Sequence, residues 1–362
     1  MNRIRRIVAL ARTDWRRERN LDWARRNFRR GDWRFALEKP SNYGTGIVLS
    51  YHRVDRFPRA VFCPTRGLTV PTGDFEAHLS FLKRHFTLIP LAQLVRCLRE
   101  GEPLPNNFAV LTFDDGYESN YTDVLPLLVA YDVPATVFVT VGLIGGQEPL
   151  WHDRLEALLS QAERFSIAWP DGDGRIEFPL RSIGERWYAY ERISERLVRM
   201  PAGRRADLLS ELERRTDSRG CPDSGPPQRL LTWAQLREMR ASGLVEIGSH
   251  SMRHQVLATL DQADADQEIG ESRRRIQAET GSAAALFAYP NGTFHDFTQS
   301  NVEQLQAYGF DSACTQEPGM VTGLSDPYRI PRLDAAGMPL EALVMRMAGL
   351  IKRSAPEFVK FA

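Results

Sequence analysis

Residues 108–116 read FAVLTFDDG, an apolar run that ends in two adjacent aspartates and a glycine. A short apolar run closed by a turn signal is typical of a buried β-strand. Similar runs lie at 46–52, 135–139, 245–250 and 285–289, and helical patterns lie between them at 74–85, 121–131, 264–280 and 297–308. Strands that alternate with helices are typical of parallel βα units. The sequence therefore predicts an α/β fold with a parallel sheet.

Polar side chains follow these predicted strands at the point where each strand ends. They are His52, the pair Asp114 and Asp115, His250, and Tyr289 with Asn291. The carboxyl ends of parallel strands meet at one edge of the sheet, and this edge carries the ligand site in α/β folds. We therefore expect these residues to share a single site.

The histidines of the segment HSMRH, His250 and His254, are four positions apart. Such a pair lies on one face of a helix, and a loop can present it similarly. With one carboxylate of the Asp114–Asp115 pair, it forms a site for one divalent ion, with zinc first and cobalt, nickel, manganese or iron as alternatives. A metal lowers the pKa of bound water towards about 7, and the other aspartate can accept the proton of that water. The two segments predict metal-assisted hydrolysis.

The composition of the 362-residue chain is that of an ordinary soluble protein, with 43% hydrophobic and 26% charged residues. A net charge of +1 argues against a nucleic-acid partner. The four cysteines are far apart and show no CxxC spacing, which argues against a zinc–thiolate site and suits a reducing compartment. No stretch approaches the roughly 18 apolar residues of a membrane span.

Residues 1–40 are predicted to form a basic amphipathic extension. Residues 1–39 carry 13 Lys/Arg against 5 Asp/Glu, a net charge of +8, and include three tryptophans. Such a segment can bind a membrane surface that contains anionic lipid, or it can pack its apolar stripe on the domain. The apolar run 7–11 is shorter than most secretory signal cores of about 7–15 residues. We therefore expect a cytoplasmic protein, peripheral on the inner face of the membrane.

The core is predicted to span residues 41–337, with an insertion at 147–229 and a C-terminal helix at 338–362. The insertion has a helical pattern near 185–215 and ends in the Pro/Gly-rich segment 221–227. Its helices are interpreted as a lid, a wall facing the substrate, or packing alone.

With these motifs in place, the chain resembles the polysaccharide deacetylases, the NodB-homology family of carbohydrate esterases. TFDDG at 112–116 matches the first motif of the family fully, and HSMRH at 250–254 matches the second. FAYPNG at 287–292 is a looser match to the third motif. The resemblance covers about residues 45–335 without the insertion. It implies a distorted (β/α) barrel of NodB-homology type with a partly helical insertion, and metal-dependent removal of an acyl group from an N-acylated sugar.

By position, the resemblance implies that Asp115, His250 and His254 hold the metal and that Asp114 is the general base. It also implies that the backbone N–H of Asn291 stabilises the oxyanion, a role that needs no particular side chain. Tyr289, at the end of the same predicted strand, is expected to lie against the substrate.

The chain departs from the family pattern at three places. Ala288 occupies the position of an arginine that often orients the base, and Asn291 that of the usual aromatic residue. No histidine follows His295, although the family usually has a late histidine as general acid.

The proton donor must therefore come from elsewhere. His52, which resembles a Tyr-His pair of some family branches, is the leading candidate, followed by His295 and by water. The alternative for His52 is a buried structural histidine. Arg332, expected at a late strand end, is interpreted as orienting a carboxylate, contacting a phosphate of the substrate, or forming a surface ion pair.

These observations predict a metal-dependent hydrolase that removes an acetyl or formyl group from an amino sugar. The basic extension favours a lipid- or nucleotide-linked precursor, or a glycan, in cell-envelope polysaccharide synthesis. Two alternatives remain open at this stage: a secreted polysaccharide deacetylase, and a catalytically inactive barrel that binds glycan or acts as a scaffold.

Overall fold

The structure is a computed structural model that describes residues 21–37, 44–55, 62–162, 164, 166–171, 174–216, 228–283 and 285–350. Its centre is a nine-stranded sheet. The strands of this sheet are β1 (Thr45–Tyr51), β4 (Thr87–Leu88), β5 (Phe108–Phe113), β6 (Ala135–Val139), β9 (Val245–Ser249), β10 (Leu286–Ala288), β11 (Ser312–Cys314), β12 (Val321–Thr322) and β13 (Leu333–Asp334). Two small sheets pair β2 (Arg53–Asp55) with β3 (Thr69–Pro71), and β7 (Ser166–Asp171) with β8 (Gly174–Pro179).

Helices pack around the main sheet and form most of the described part of the insertion. They are α1 (21–30), α2 (Arg34–Leu37), α3 (Thr72–His85), α4 (Leu91–Glu100), α5 (Leu125–Tyr131), α6 (Trp151–Gln161), α7 (Ile183–Leu197), α8 (Ala202–Thr216), α9 (Trp233–Ala241), α10 (Gln262–Asp266), α11 (Ser272–Thr280), α12 (Gln299–Ala307) and α13 (Leu340–Met347). Wider π-turns are present at Asn120–Val124, which overlaps the helical stretch predicted at 121–131, and at Gln267–Glu271, within the stretch predicted at 264–280.

The main sheet follows the order β11-β10-β9-β6-β5-β1-β12, and these neighbours pair in parallel except for β1 with β12. All six residues of β5 and all five of β6 are buried. Apolar strands without alternation are expected where helices cover both faces of a parallel sheet. The predicted α/β class is thus confirmed.

Residues 330–334 connect the two ends of the curved sheet. Ile330 forms a parallel bridge with Cys314 of β11, and β13 pairs with β1 through Leu49 and Ser50. The sheet is therefore curled into a half-barrel, in agreement with the predicted distorted (β/α) barrel. This geometry brings the carboxyl ends of β1, β5, β9 and β10 to one rim.

Within the predicted insertion 147–229, the structure describes three helices, α6, α7 and α8, and the hairpin β7–β8. Trp151, Trp169, Ile193 and Leu209 belong to a second hydrophobic core that these elements enclose. Phe62 and Val256 also belong to this core, and Val256 follows the HSMRH segment closely. The insertion therefore packs directly against the rim that carries the predicted site. The Pro/Gly-rich segment 221–227 lies outside the described residues.

Helices α1 and α2 pack on the main core. Ala24, Trp33 and Leu37 are buried there, and the ring of Trp33 lies edge-on to that of Phe81 with 5.0 Å between centroids. For residues 21–37, the structure thus shows an apolar stripe packed on the domain. Residues 1–20, 38–43 and 351–362, on which much of the predicted extension and C-terminal helix falls, lie outside the described residues. Among the residues that the structure describes, none of the helices is long and apolar enough to span a membrane.

Candidate active site

The turn that follows β5 carries Asp114 and Asp115 and directs their side chains into different surroundings. Asp115 has a φ of 75° and Gly116 a φ of 82°, so the chain reverses sharply after Asp114. Left-handed backbone is unusual for a residue other than glycine, and a Cβ on Gly116 would lie 3.0 Å from a methyl carbon of Val139. The Thr140 N–H donates to the Asp115 carbonyl at 3.2 Å. Adjacent carboxylates consequently have different neighbours.

The two histidines lie on a turn, so the loop alternative is correct and the helix alternative is wrong. Ser251 and His254 have φ values of 64° and 52°. Nδ1 of His250 lies 2.8 Å from the carbonyl oxygen of Ala288. A carbonyl can only accept, so we assign the proton of His250 to Nδ1. Nε2 is then the atom that carries a lone pair into the site.

Asp115, His250 and His254 converge. Oδ1 of Asp115 is 3.7 Å from Nε2 of His250 and 3.4 Å from Nε2 of His254. One ligand atom from each of the three residues lies within 4.8 Å of the others. Two imidazole nitrogens and one carboxylate are donors that suit zinc and related ions, and they leave coordination positions for water and substrate.

The electrostatics of the three residues fit a cation. Oδ1 of Asp115 is buried and has no hydrogen-bond partner among the described residues. Burial and the neighbouring Asp114 raise the pKa of Asp115 well above its usual value. Burial lowers the pKa of His250 and of His254, which favours the neutral form that binds metal. A positive ion among these donors would compensate the buried carboxylate, so the residues fit the implied divalent metal.

Asp114 has a different environment. Arg332 donates from both terminal nitrogens to the two oxygens of Asp114, at 2.7 and 2.8 Å, and Gln316 donates from Nε2 at 3.2 Å. Burial raises the pKa of Asp114, but Arg332 and His250 outweigh burial and lower it on balance. Asp114 is therefore held ionised and in a fixed orientation.

Arg332 lies just before β13 rather than at a strand end, and it is fully buried. Its guanidinium also donates to the Thr315 carbonyl and to the hydroxyl of Thr112. The expectations that it contacts the substrate or forms a surface ion pair are therefore wrong, because every direction of the fork faces protein. The structure agrees with the expectation that Arg332 orients a carboxylate, which is that of Asp114. Arg332 supplies the guanidinium that Ala288 does not.

His52 is buried at the end of β1, and its Nδ1 has no hydrogen-bond partner among the described residues. Burial lowers the pKa of His52 to about 4, with Arg332 and His250 acting in the same direction and Asp114 against it. Because these charged residues act on the pKa of His52, its ring lies in the same charged cluster as Asp114, Arg332 and His250. His295, the second candidate for the proton donor, is exposed on the loop that follows Asn291.

In the third motif, Asn291 lies at the rim of the site, whereas Tyr289 lies in the core. Asn291 has a φ of 60°, and no hydrogen bond from its backbone N–H occurs among the described residues. The ring of Tyr289 is stacked on Phe297 at 3.9 Å, and its hydroxyl donates to the Tyr328 carbonyl at 3.1 Å. The expectation that Tyr289 lies against the substrate is wrong, since its side chain is part of the core.

Sequence reasoning missed a buried polar network beside His254. The hydroxyl of Tyr117 lies 2.9 Å from Nε2 of His152 and donates to Asp153 at 2.7 Å, and Arg53 donates to Asp153 at 2.9 Å. The rings of His152 and His254 are edge-to-face at 5.9 Å. Only the position of Tyr117, next to the TFDDG motif, could have indicated this network, which joins the insertion to the site.

Comparison with known proteins agrees with this geometry. A sequence model of the polysaccharide deacetylase family matches residues 101–170 and 213–310. The two matched segments contain both carboxylates and both histidines of the site, and the part between them contains α7 and most of α8.

Two curated relatives are poly-β-1,6-N-acetyl-D-glucosamine N-deacetylases. The Escherichia coli (strain K12) protein is 34% identical over 106 residues, which cover 29% of this chain and 15% of the relative. The Staphylococcus aureus (strain MSSA476) protein is 26% identical over 110 residues, covering 28% of this chain and 38% of the relative. The chain thus spans well under half the length of these relatives.

Two solved structures have the same fold. The Streptococcus pyogenes deacetylase PplD, in complex with acetate, gives a TM-score of 0.54 at 16% identity, over 84% of this chain and 99% of that one. IcaB from Ammonifex degensii gives a TM-score of 0.53 at 17% identity, over 85% and 97% of the two chains. The family motifs, the two segments that the family model matches and the half-barrel fold all agree in their similarity to the polysaccharide deacetylase family.

Proposed function

We propose that the protein is a metal-dependent hydrolase that removes an N-acyl group, acetyl or formyl, from an amino sugar. The observation that carries the proposal is the convergence of Asp115, His250 and His254 beside the arginine-paired Asp114. This set combines a three-donor metal site with a separate, ionised base.

Asp115, His250 and His254 would hold the divalent ion, with zinc as the first choice. When bound, such an ion supplies a Lewis acid for the acyl carbonyl and lowers the pKa of a coordinated water. His250 is oriented for this role by the Ala288 carbonyl.

Asp114 would accept the proton of the attacking water. The fork of Arg332 and the amide of Gln316 fix its carboxylate, so the base needs little reorganisation during the reaction. The backbone N–H of Asn291 would donate to the oxyanion that develops on the acyl oxygen. Arg332 also removes one reason for the inactive-scaffold alternative, since the guanidinium absent at position 288 comes from position 332.

His52 would donate a proton to the leaving amine. With its pKa lowered to about 4 by burial, the imidazole is neutral at rest. It would therefore receive the proton that Asp114 has taken from the attacking water and pass that proton to the leaving amine.

Replacement of His52 by asparagine tests this role through the leaving group. An amine leaves poorly without a proton, whereas the phenolate of an aryl acetate leaves unaided. We expect kcat for N-acetyl sugar hydrolysis to fall about 10²-fold or more, with kcat for the aryl ester nearly unchanged. Steady-state kinetics on both substrates measure the effect, and equal losses on the two would contradict the assignment.

For the substrate, we propose an N-acetylglucosamine-containing glycan, or a lipid- or nucleotide-linked precursor, of cell-envelope polysaccharide synthesis. The names of the curated relatives support the sugar. Release of acetate or formate can be measured on β-1,6-linked N-acetylglucosamine oligomers, nucleotide-linked N-acetylglucosamine and a polyprenyl-linked form. Activity on none of the three would contradict this proposal.

We also propose a cytoplasmic location with residues 1–20 on the inner face of the membrane, supported by the seven arginines of that segment against Asp14 and Glu18, and by Trp15. Because residues 21–37 include buried core side chains, deletion of residues 1–20 is the appropriate test. We expect binding to vesicles with anionic lipid to be lost while binding to neutral vesicles stays low. Unchanged cosedimentation with anionic vesicles would rule out this role.

A further inference from the structure

We propose that Arg205, on helix α8 of the insertion, is a positioning residue for the metal site. It holds the backbone of the histidine turn (residues 250–255) from the side opposite to the barrel. The inference depends on the proposed role of His254 as a metal ligand, and it makes the insertion a functional part of the metal site.

The barrel side of the histidine turn is held by contacts within the core. The buried carboxylate of Glu268 accepts from the backbone N–H groups of Met252 and Arg253 at 3.0 and 2.8 Å. The N–H groups of Val141 and Gly142 donate to the carbonyls of Ser251 and Met252 at 3.0 and 2.8 Å. A Cβ at position 142 would lie 2.5 Å from the Met252 carbonyl oxygen, so this approach requires glycine.

Arg205 continues this pattern at the next two carbonyls. Its Nη2 donates to the carbonyl of Arg253 at 3.1 Å and lies 3.5 Å from that of His254. The same nitrogen donates to the side chain of Gln255 at 3.3 Å, and Gln255 donates from Nε2 to the Met200 carbonyl at 2.7 Å. The insertion thus contacts the turn at consecutive backbone positions.

His254 needs such support because its φ is 52°. Left-handed backbone at a residue other than glycine costs on the order of 1 kcal/mol or more and persists only where the surroundings hold it. The direction of the His254 side chain depends on this backbone. A turn that relaxed towards ordinary dihedrals would move Nε2 away from Oδ1 of Asp115.

Burying the charged guanidinium of Arg205 costs free energy, and a residue that only filled space would not need that charge. The side chain is 3% exposed, its acceptors are neutral, and its Nη1 has no hydrogen-bond partner among the described residues. The ring of Trp151 lies 5.1 Å from its guanidinium carbon. Apolar residues of similar volume often replace buried charges at no loss of stability. The charge at position 205 is therefore better explained by the carbonyls that it holds.

Arg205→Met tests the proposal, with Arg186→Met as a matched control. Arg186 is a half-buried arginine of the same insertion that donates to the carbonyls of Ser160 and Ala162, away from the histidine turn. The zinc Kd of the chelator-stripped full chain is measured by competition with a chromophoric chelator, together with the visible spectrum of the Co²⁺ form. Unfolding temperatures are recorded in parallel.

We expect Arg205→Met to raise the zinc Kd about 10- to 100-fold, the range found for groups that orient metal ligands, and to alter the Co²⁺ spectrum. Arg205→Lys retains a donor and a charge, so a smaller increase in Kd is expected. Arg186→Met should lower the unfolding temperature yet leave the zinc Kd within about twofold, because it acts on the insertion alone.

A wild-type zinc Kd in folded Arg205→Met would overturn the inference, as would an equal increase in Arg186→Met. If Arg205→Met does not fold, a wild-type Kd in Arg205→Lys overturns it and an increased Kd with normal stability supports it. His254→Ala distinguishes a failure of the Arg205 inference from a failure of the proposed metal site. Wild-type zinc binding in that variant would refute the metal site itself.

Discussion

Replacement of Asp115 by asparagine is expected to abolish stoichiometric metal binding, whereas the same replacement of Asp114 is expected to leave the metal bound. Both variants should lose at least about 10³-fold in kcat/KM for an N-acetyl sugar, through loss of the metal in one and of the base in the other. The residues are neighbours in sequence, but only Asp115 directs an oxygen at His250 and His254.

The paired variants are compared by metal content after dialysis and by isothermal titration with zinc. Since Asp114→Asn leaves the buried Arg332 without its ionised partner, the unfolding temperatures of both variants are measured too. Full metal content in Asp115→Asn, or loss of metal in a folded Asp114→Asn, would refute the division of roles between the two carboxylates.

Arg332→Met is expected to have the largest effect on stability. Removing one partner of a buried ion pair costs about 3–5 kcal/mol because a charge is left uncompensated, and Asp114 is 1% exposed. Urea denaturation at pH 7 measures this loss. The loss should shrink at low pH: the pKa of Asp114 is lowered in the folded protein, so the pair stabilises above the unfolded pKa of about 3.9 and its contribution disappears as pH falls through the folded pKa.

The same variant should shift the pH dependence of activity. Without Arg332, burial acts on Asp114 with less opposition and its pKa rises, so the acidic limb of the kcat/KM profile moves to higher pH. Arg329→Met is the control, since Arg329 pairs with Asp326 near the surface and should cost about 1 kcal/mol or less. An Arg332→Met protein with wild-type stability and an unshifted acidic limb would show that Arg332 does not hold the base.

The sequence was sufficient for the five strands predicted in the main sheet and for the convergence of the candidate metal ligands, because both depend on local pattern. The run 108–113 is apolar apart from Thr112 and forms β5 over those same residues. The Asp114–Asp115 pair and the two histidines follow strands whose carboxyl ends must meet in a parallel sheet. Their convergence is therefore a consequence of topology, which the alternation of strands and helices already indicated.

The remaining parts of the site depend on contacts between distant segments, which no local pattern encodes. Arg332 reaches Asp114 from 218 positions away, because residues 330–334 cross between the two ends of the sheet. The strand-end position of Tyr289 predicts a contact with the substrate, but its ring stacks on Phe297 in a core that only the folded loop creates. Arg205 carries no signal in sequence, since the groups of the histidine turn that accept its hydrogen bonds lie 48 to 50 positions away.

Acetate release by the chelator-stripped protein, before and after addition of one equivalent of zinc, tests the central claim most directly. The substrate is an N-acetylglucosamine oligomer, and metal content is determined on the same samples. We predict that stripping abolishes release and that a single equivalent of zinc restores it, because Asp115, His250 and His254 form one site. Undiminished acetate release by protein shown to be free of metal would contradict the account.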